Sequence, residues 1–252
     1  MIVWSTLEAS CPICRNRTRL REVGSGFIVG QDSDLLVRMA SKHIIQAEVH
    51  TCHKCRFSGY SRDFLRTISP TQSRRFLDEV SPTLCDEQAF EPGGAQGQAR
   101  TPLPHIQYQW AARTAQLLGL SASEEGERWL RAYWCLRLPP SSYLPPALQQ
   151  SLKKLYMKWA ILKLREGLRA DRERNRLYLI GELCRRNGNF LMAASHLKRF
   201  LELDGGADYL RTAARKLIEA ARQRISRELT MEEVLYGSEP DRQRRSEGGT
   251  IV

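Results

Sequence analysis

Four cysteines fall in two identically spaced pairs, Cys11-Pro12-Ile13-Cys14 and, after 37 residues, Cys52-His53-Lys54-Cys55. Two residues between thiols is the reach a tight turn needs to offer both sulfurs to one ion, and Zn²⁺ takes four soft ligands tetrahedrally. A single pair of this kind could equally serve thiol redox chemistry. Two pairs in one N-terminal segment point instead to a structural Zn²⁺ held by Cys11, Cys14, Cys52 and Cys55. His50 and His53 are available as substitute ligands, but four cysteines already complete the shell. A catalytic zinc keeps an open coordination position, usually with His or carboxylate ligands, so a closed tetrathiolate argues against hydrolysis. Arg15, Lys54 and Arg56 lie beside the pairs, where they could offset the negative charge of four thiolates on one ion.

A second group of residues could contact phosphates. Arg15, Arg17, Arg19 and Arg21 alternate with uncharged residues, which lines them up on one strand face, and Lys54 and Arg56 lie at the second pair. This is the alternative reading of the segment, as a nucleic-acid-binding unit. Phe57 and Tyr60, flanking Gly59, are expected to cover one side of the metal site; a stacking platform for bases is the other use of such rings. The chain has no phosphate-binding Gly loop, no His-Glu metal motif and no nucleophile elbow, so a non-enzymatic protein is expected. Thiol–disulfide activity from either cysteine pair is the remaining catalytic option.

The elements that must carry these residues change character along the chain. Residues 1–69 hold short β-branched runs between Gly, Asp and Ser turns, which reads as a small β-rich unit with both knuckles at one end. So small a unit depends on its metal for folding free energy. The stretch 35–40 reads as either a strand or a turn or two of helix. Ser69-Pro70-Thr71 opens a brief helix ending at Val80, and the Gly-, Pro- and Gln-rich residues that follow make 70–104 a flexible linker with a short helix. From 105 to 228 the apolar period is helical. Helices are expected over about 106–118, from Ser121 to Leu136, and from Ala147 to Arg169, the last with Leu148, Leu152, Leu155, Tyr156, Trp159 and Leu162 as its core stripe. Residues 229–252 read as a disordered tail, whose Thr250-Ile251-Val252 end has the form of a PDZ-domain ligand.

Residues 177–200 read as two helices joined at Asn187-Gly188-Asn189, with Gly181 and Ala193 small enough for close antiparallel approach. The pair resembles one tetratricopeptide repeat, with residues 207–227 as a capping helix. That resemblance implies a groove lined by Asn175, Tyr178, Glu182, Arg185 and Arg186, the two arginines favouring an acidic peptide or a C-terminal carboxylate. The fold class is therefore α+β, mostly α: a zinc-ribbon-like β unit followed by a tetratricopeptide-like antiparallel helical domain. The paired knuckles, the linker and the phrase Tyr178-Leu179-Ile180-Gly181-Glu182-Leu183-Cys184-Arg185-Arg186 together resemble the bacterial domain of unknown function 2225 family. In that family the second knuckle runs straight into Gly-Tyr, whereas here Arg56-Phe57-Ser58 intervene before Gly59-Tyr60. The family's activity is unassigned, so the resemblance bears on fold and not on biochemistry.

Composition bounds the rest. The 252-residue chain is 42% apolar, enough for a core, and carries a net charge of +11. Most of that excess falls in 151–228, which holds 19 Lys+Arg against 9 Asp+Glu. A basic surface suits an acidic protein partner, with nucleic acid as the alternative. Seven cysteines, four at metal spacing and Cys85, Cys135 and Cys184 scattered, suit a reducing compartment. No run of about 18 apolar residues is present. A cytoplasmic adaptor without membrane insertion is expected, binding its partner through the basic helical surface.

Overall fold

The computed structural model describes residues 4–23, 27–39, 44–84, 102–138, 144–168, 174–205 and 207–237. Small antiparallel sheets near the N-terminus precede a helical remainder, an α+β fold that is mostly α. The chain divides into two compact units, and the division is not sequential.

The first unit begins with two hairpins. Strands β1 (Trp4–Ser10) and β2 (Arg17–Val23) pair antiparallel, closing at Ser10 opposite Arg17. Strands β5 (Val49–Thr51) and β6 (Ser58–Tyr60) pair likewise, closing at Thr51 opposite Ser58. Each cysteine pair is thus the tip of a hairpin. The one-turn helix α1 (Ser61–Phe64) follows β6, and α2 (Pro70–Arg75) starts at Ser69, whose side chain accepts from the Gln72 amide while Gln72 reaches back.

Helices α3 (Pro104–Ala115), α4 (Ala122–Cys135) and α5 (Pro146–Glu166) pack as sequential neighbours. Proline at the first turn of α3 and of α5 costs no hydrogen bond, and α4 opens on a Ser121–Glu124 capping box. These three helices belong to the same unit as the knuckles. Thr114 of α3 donates to the Ser58 carbonyl at 3.0 Å, and Tyr108 to that of Ile45 at 2.8 Å. A boundary between 69 and 105 is therefore not where the chain divides, because the small hairpins complete their core with α3. Residues 85–101 of the expected linker, and with them Cys85, lie outside the described residues.

Helix α5 corrects a second expectation. It buries Tyr156, Met157, Ala160, Ile161 and Leu164, while Leu148, Leu155, Trp159 and Leu162 stay 38–43% exposed. Leucine and tryptophan dominate a hydropathy stripe, yet α5 approaches its neighbours through the face that carries the small, fully buried Ala160. Gly126 of α4 serves the same approach, since a Cβ there would meet the Leu164 amide nitrogen at 2.8 Å.

The second unit contains β3 (Ile28–Gln31), β4 (Val37–Met39) and helices α6 (Arg174–Arg186), α7 (Phe190–Glu202), α8 (Asp208–Arg222) and α9 (Met231–Tyr236). Within the ambiguous 35–40 stretch, Val37–Met39 form β4, which pairs with β3 as the second arm of a hairpin. Helices α6 and α7 join at Gly188, whose φ of +79° ends α6, and cross closely at Gly181, where a Cβ would lie 2.6 Å from Leu197 Cγ. Leu210, Ala213, Ala214, Leu217 and Ile218 bury one face of α8. Residues 229–237 are not disordered: Thr230 and Glu233 cap α9, which buries Met231 and Val234 in the same core. Residues 238–252 lie outside the described residues.

Candidate metal centre

The two knuckles share one backbone geometry. In the first, Cys11 N–H donates to the Asn16 carbonyl (2.8 Å) and Arg15 N–H to that of Cys11 (2.9 Å). In the second, Cys52 N–H donates to Phe57 (2.8 Å) and Arg56 N–H to Cys52 (2.8 Å). Arg15 and Arg56 both take left-handed conformations, with φ of 61° and 66°. The tight turns this produces aim both sulfurs of each pair inward.

All four sulfurs lie within 4.8 Å of one another. The Cys11–Cys55 separation is 3.5 Å and the Cys14–Cys52 separation 3.6 Å. A tetrahedral ion with metal–sulfur bonds of about 2.3 Å sets its sulfurs about 3.8 Å apart, so the donor set fits such an ion with small adjustment. Cys11, Cys52 and Cys55 are buried and Cys14 partly so, among Leu20, Phe57, Phe64, Phe76 and Trp110. Ser81 donates to the Cys55 carbonyl at 2.9 Å, tying the turn after α2 to the second knuckle. The four cysteines are thus placed to hold a metal ion inside an apolar core.

Crowded thiols titrate together. The hydrogen bond with Cys52 pushes Cys11 up to about 12, and contact with Cys11 and then Cys52 pushes Cys55 up as well. Hydrogen bonds from Cys11 and Cys55 hold Cys52 down. A bound cation would supply the charge that favours all four thiolates. Neither candidate substitute ligand is among the clustered donors: burial and Arg21 push His50 down to about 4 while its Nε2 meets Ser61 Oγ at 3.2 Å, and exposed His53 lies 3.4 Å from the Asn16 amide.

Of the two rings flanking Gly59, Phe57 covers the metal site, edge-on to Phe64 at 5.1 Å and to Phe76 at 5.9 Å. Tyr60 does not; Arg62, Arg128 and Arg131 crowd its ring at 5.3–5.7 Å. Sequence reasoning missed the cause, a buried Asp63 that accepts from the Tyr60 amide (2.9 Å) and from Arg128 (2.7 Å). The available signal was Asp63 at the third position of the helix that opens after Tyr60; the close fit of Gly59, where a Cβ would lie 2.8 Å from Asp63, is visible only in the structure.

The arginines of β2 divide as alternation requires. Leu20 and Thr18 are buried, while Arg17, Arg19 and Arg21 are exposed. With Arg56, His50 and His53 they line a cleft of about 490 Å³ beside the knuckles. Arg15 and Lys54 are exposed but do not line it. Arg56 also packs its guanidinium 5.7 Å from the Trp110 ring centre.

The expected groove on α6 does not exist as one. Tyr178, Glu182 and Arg185 have no exposed surface and Arg186 only 7%; of the five positions Asn175 alone is exposed. Arg185 Nε and Nη2 and Arg186 Nε donate to the Glu182 carboxylate at 2.7 Å, and Ser33 Oγ donates to it at 2.6 Å. Arg186 also pairs with Asp34 at 3.2 Å, and Arg185 donates to the Arg227 carbonyl at 3.0 Å. This cluster docks the β3–β4 turn and the segment before α9 onto α6. Burial alone would raise the Glu182 carboxyl, but Arg186 and Arg185 together hold it below the usual range. Tertiary contacts 149 residues apart decided this, and no local pattern announces them.

Cys135 and Cys184 are buried, and burial pushes the Cys135 thiol up. No helix among the described residues is long and apolar enough to cross a membrane. No curated protein and no solved structure matches this sequence. The hairpin-borne cysteine cluster and the α6–α7 pair both fall within residues 5–227, which match the model of a family described as an uncharacterised protein conserved in bacteria, DUF2225, and the chain belongs to that family.

Proposed function

We propose that this protein is a non-enzymatic adaptor whose cysteine cluster holds a structural Zn²⁺ in a zinc-ribbon-like arrangement, and whose long helix α5 docks a protein partner. A completed thiolate shell in an apolar core leaves no coordination position for substrate, which supports a structural ion.

The observation that carries the adaptor reading is the exposed stripe of α5. Leu148, Leu155, Trp159 and Leu162 recur at helical spacing with about two-fifths of each side chain in solvent. Exposed Lys154, Lys158 and Arg165 run along one edge of it. An apolar centre with a tryptophan and a basic rim suits an amphipathic helix with acidic flanks.

The test uses two designed helical peptides with the same leucine stripe, one flanked by Glu and one by Lys, titrated into the zinc-loaded protein by fluorescence anisotropy. The acidic peptide should bind at least tenfold more tightly, and Leu155→Asp with Leu162→Asp should abolish the difference. Equal binding of both peptides, or no effect of the substitutions, would sink the docking assignment.

A further inference from the structure

We propose that the arginine-lined cleft beside the knuckles binds the phosphodiester backbone of single-stranded nucleic acid, without selecting sequence. This goes beyond the adaptor reading and does not depend on it.

Alternation along β2 places Arg17, Arg19 and Arg21 on one face, and in an extended strand every second residue advances roughly 7 Å. Three guanidiniums at even spacing match a polymer that carries one charge per repeat. None of the three is ion-paired among the described residues, so their donors are available to a ligand. Arg56 faces them from the second hairpin, and Glu8 is the one carboxylate among the described lining residues, so the cleft is strongly positive.

The chemistry favours phosphate. All four cations among the described lining residues are arginines, whose planar fork matches phosphate oxygens in pairs. The volume of about 490 Å³ is that of a small-ligand cleft, enough for nucleotide units to enter in turn. Apart from two imidazoles the described lining residues offer no aromatic ring on which a base could stack, so the backbone is contacted and the bases are not read.

The metal centre has a role in this. Strand β2 leaves the first knuckle and β5 enters the second, so an ion holding both hairpin tips fixes one end of each strand bordering the cleft.

The experiment measures binding of a fluorescein-labelled oligouridine to the zinc-loaded full chain by anisotropy. Four phosphate contacts to a single strand give a slope of log K against log salt of about −2.8, hence a loss of about 50-fold between 50 and 200 mM. Arg17→Gln, Arg19→Gln and Arg21→Gln together should weaken binding at least tenfold at 50 mM and reduce the slope to about −0.7. Their side chains are exposed, so zinc content and circular dichroism should stay unchanged. A control carrying Arg74→Gln, Arg75→Gln and Arg113→Gln removes three exposed charges elsewhere on this unit and should keep the original slope.

Three results would overturn the proposal. They are no binding at 50 mM salt, equal weakening by the control set, and displacement of the oligonucleotide by polyglutamate as readily as by unlabelled oligouridine. The last would assign the cleft to an acidic polypeptide instead.

Discussion

Replacing Glu182 by Gln should release the β3–β4 turn and the segment before α9 from helix α6. The carboxylate has no exposed surface and accepts from Arg185 twice, from Arg186 and from Ser33, all at 2.6–2.7 Å. With Asp34 it balances two buried guanidiniums. The amide keeps the shape but removes the charge and turns a donor toward one of those guanidiniums. Breaking a buried pair from one side costs about 3–5 kcal/mol, which multiplies the local opening constant about 150- to 5000-fold. Hydrogen exchange of peptides covering 28–39 and 225–236 reads this directly, with α8 as internal reference. Were Glu182 on an open surface, the same change would cost about 0–1 kcal/mol and exchange would rise less than tenfold. Unchanged protection at Ser33, Leu229 and Thr230 would refute the reading. The cluster also explains why charge reversal at Arg185 and Arg186 cannot probe a binding groove, since it would disrupt the unit first.

Further outcomes follow from the same structure. Burial pushes His105 down to about 4, below its unfolded value near 6.5, so the unfolded chain binds a proton that the native one does not. Its stabilising contribution is complete above about pH 6.5 and falls by about 1.4 kcal/mol per pH unit down to about 4. Denaturant titrations of wild type and His105→Gln between pH 7 and 5 should converge by that slope, and parallel curves would disprove it. Gly181→Val drives a side chain into Leu197, whose Cγ a Cβ would already meet at 2.6 Å. A lowered urea midpoint worth about 1–3 kcal/mol is expected, and an unchanged one would contradict the α6–α7 packing. One zinc per chain, shielding Cys11, Cys14, Cys52 and Cys55 from alkylation until chelator is added, is expected of the metal centre. Rapid alkylation of a CxxC pair in the zinc-loaded protein would return the redox reading.

Legibility followed the range of the interactions. The cysteine pairs, the helical segments, the α6–α7 turn at Gly188 and the exposure of Arg17, Arg19 and Arg21 were open to sequence reasoning. Ligand spacing, helical period and strand alternation are local, and the chain's own stereochemistry enforces them. The helices α3–α5 joining the knuckle unit, the β3–β4 hairpin joining the other, and the burial of Arg185 and Arg186 were decided only by the tertiary structure. Hydropathy assigns arginine to the surface and leucine to the core. Yet a buried carboxylate 2.7 Å away can make an arginine interior, and the close approach of Gly126 to Leu164 on the other face of α5 can leave Leu155 and Trp159 outside. Which stripe of a helix is covered depends on the partner surface, which lies elsewhere in the chain.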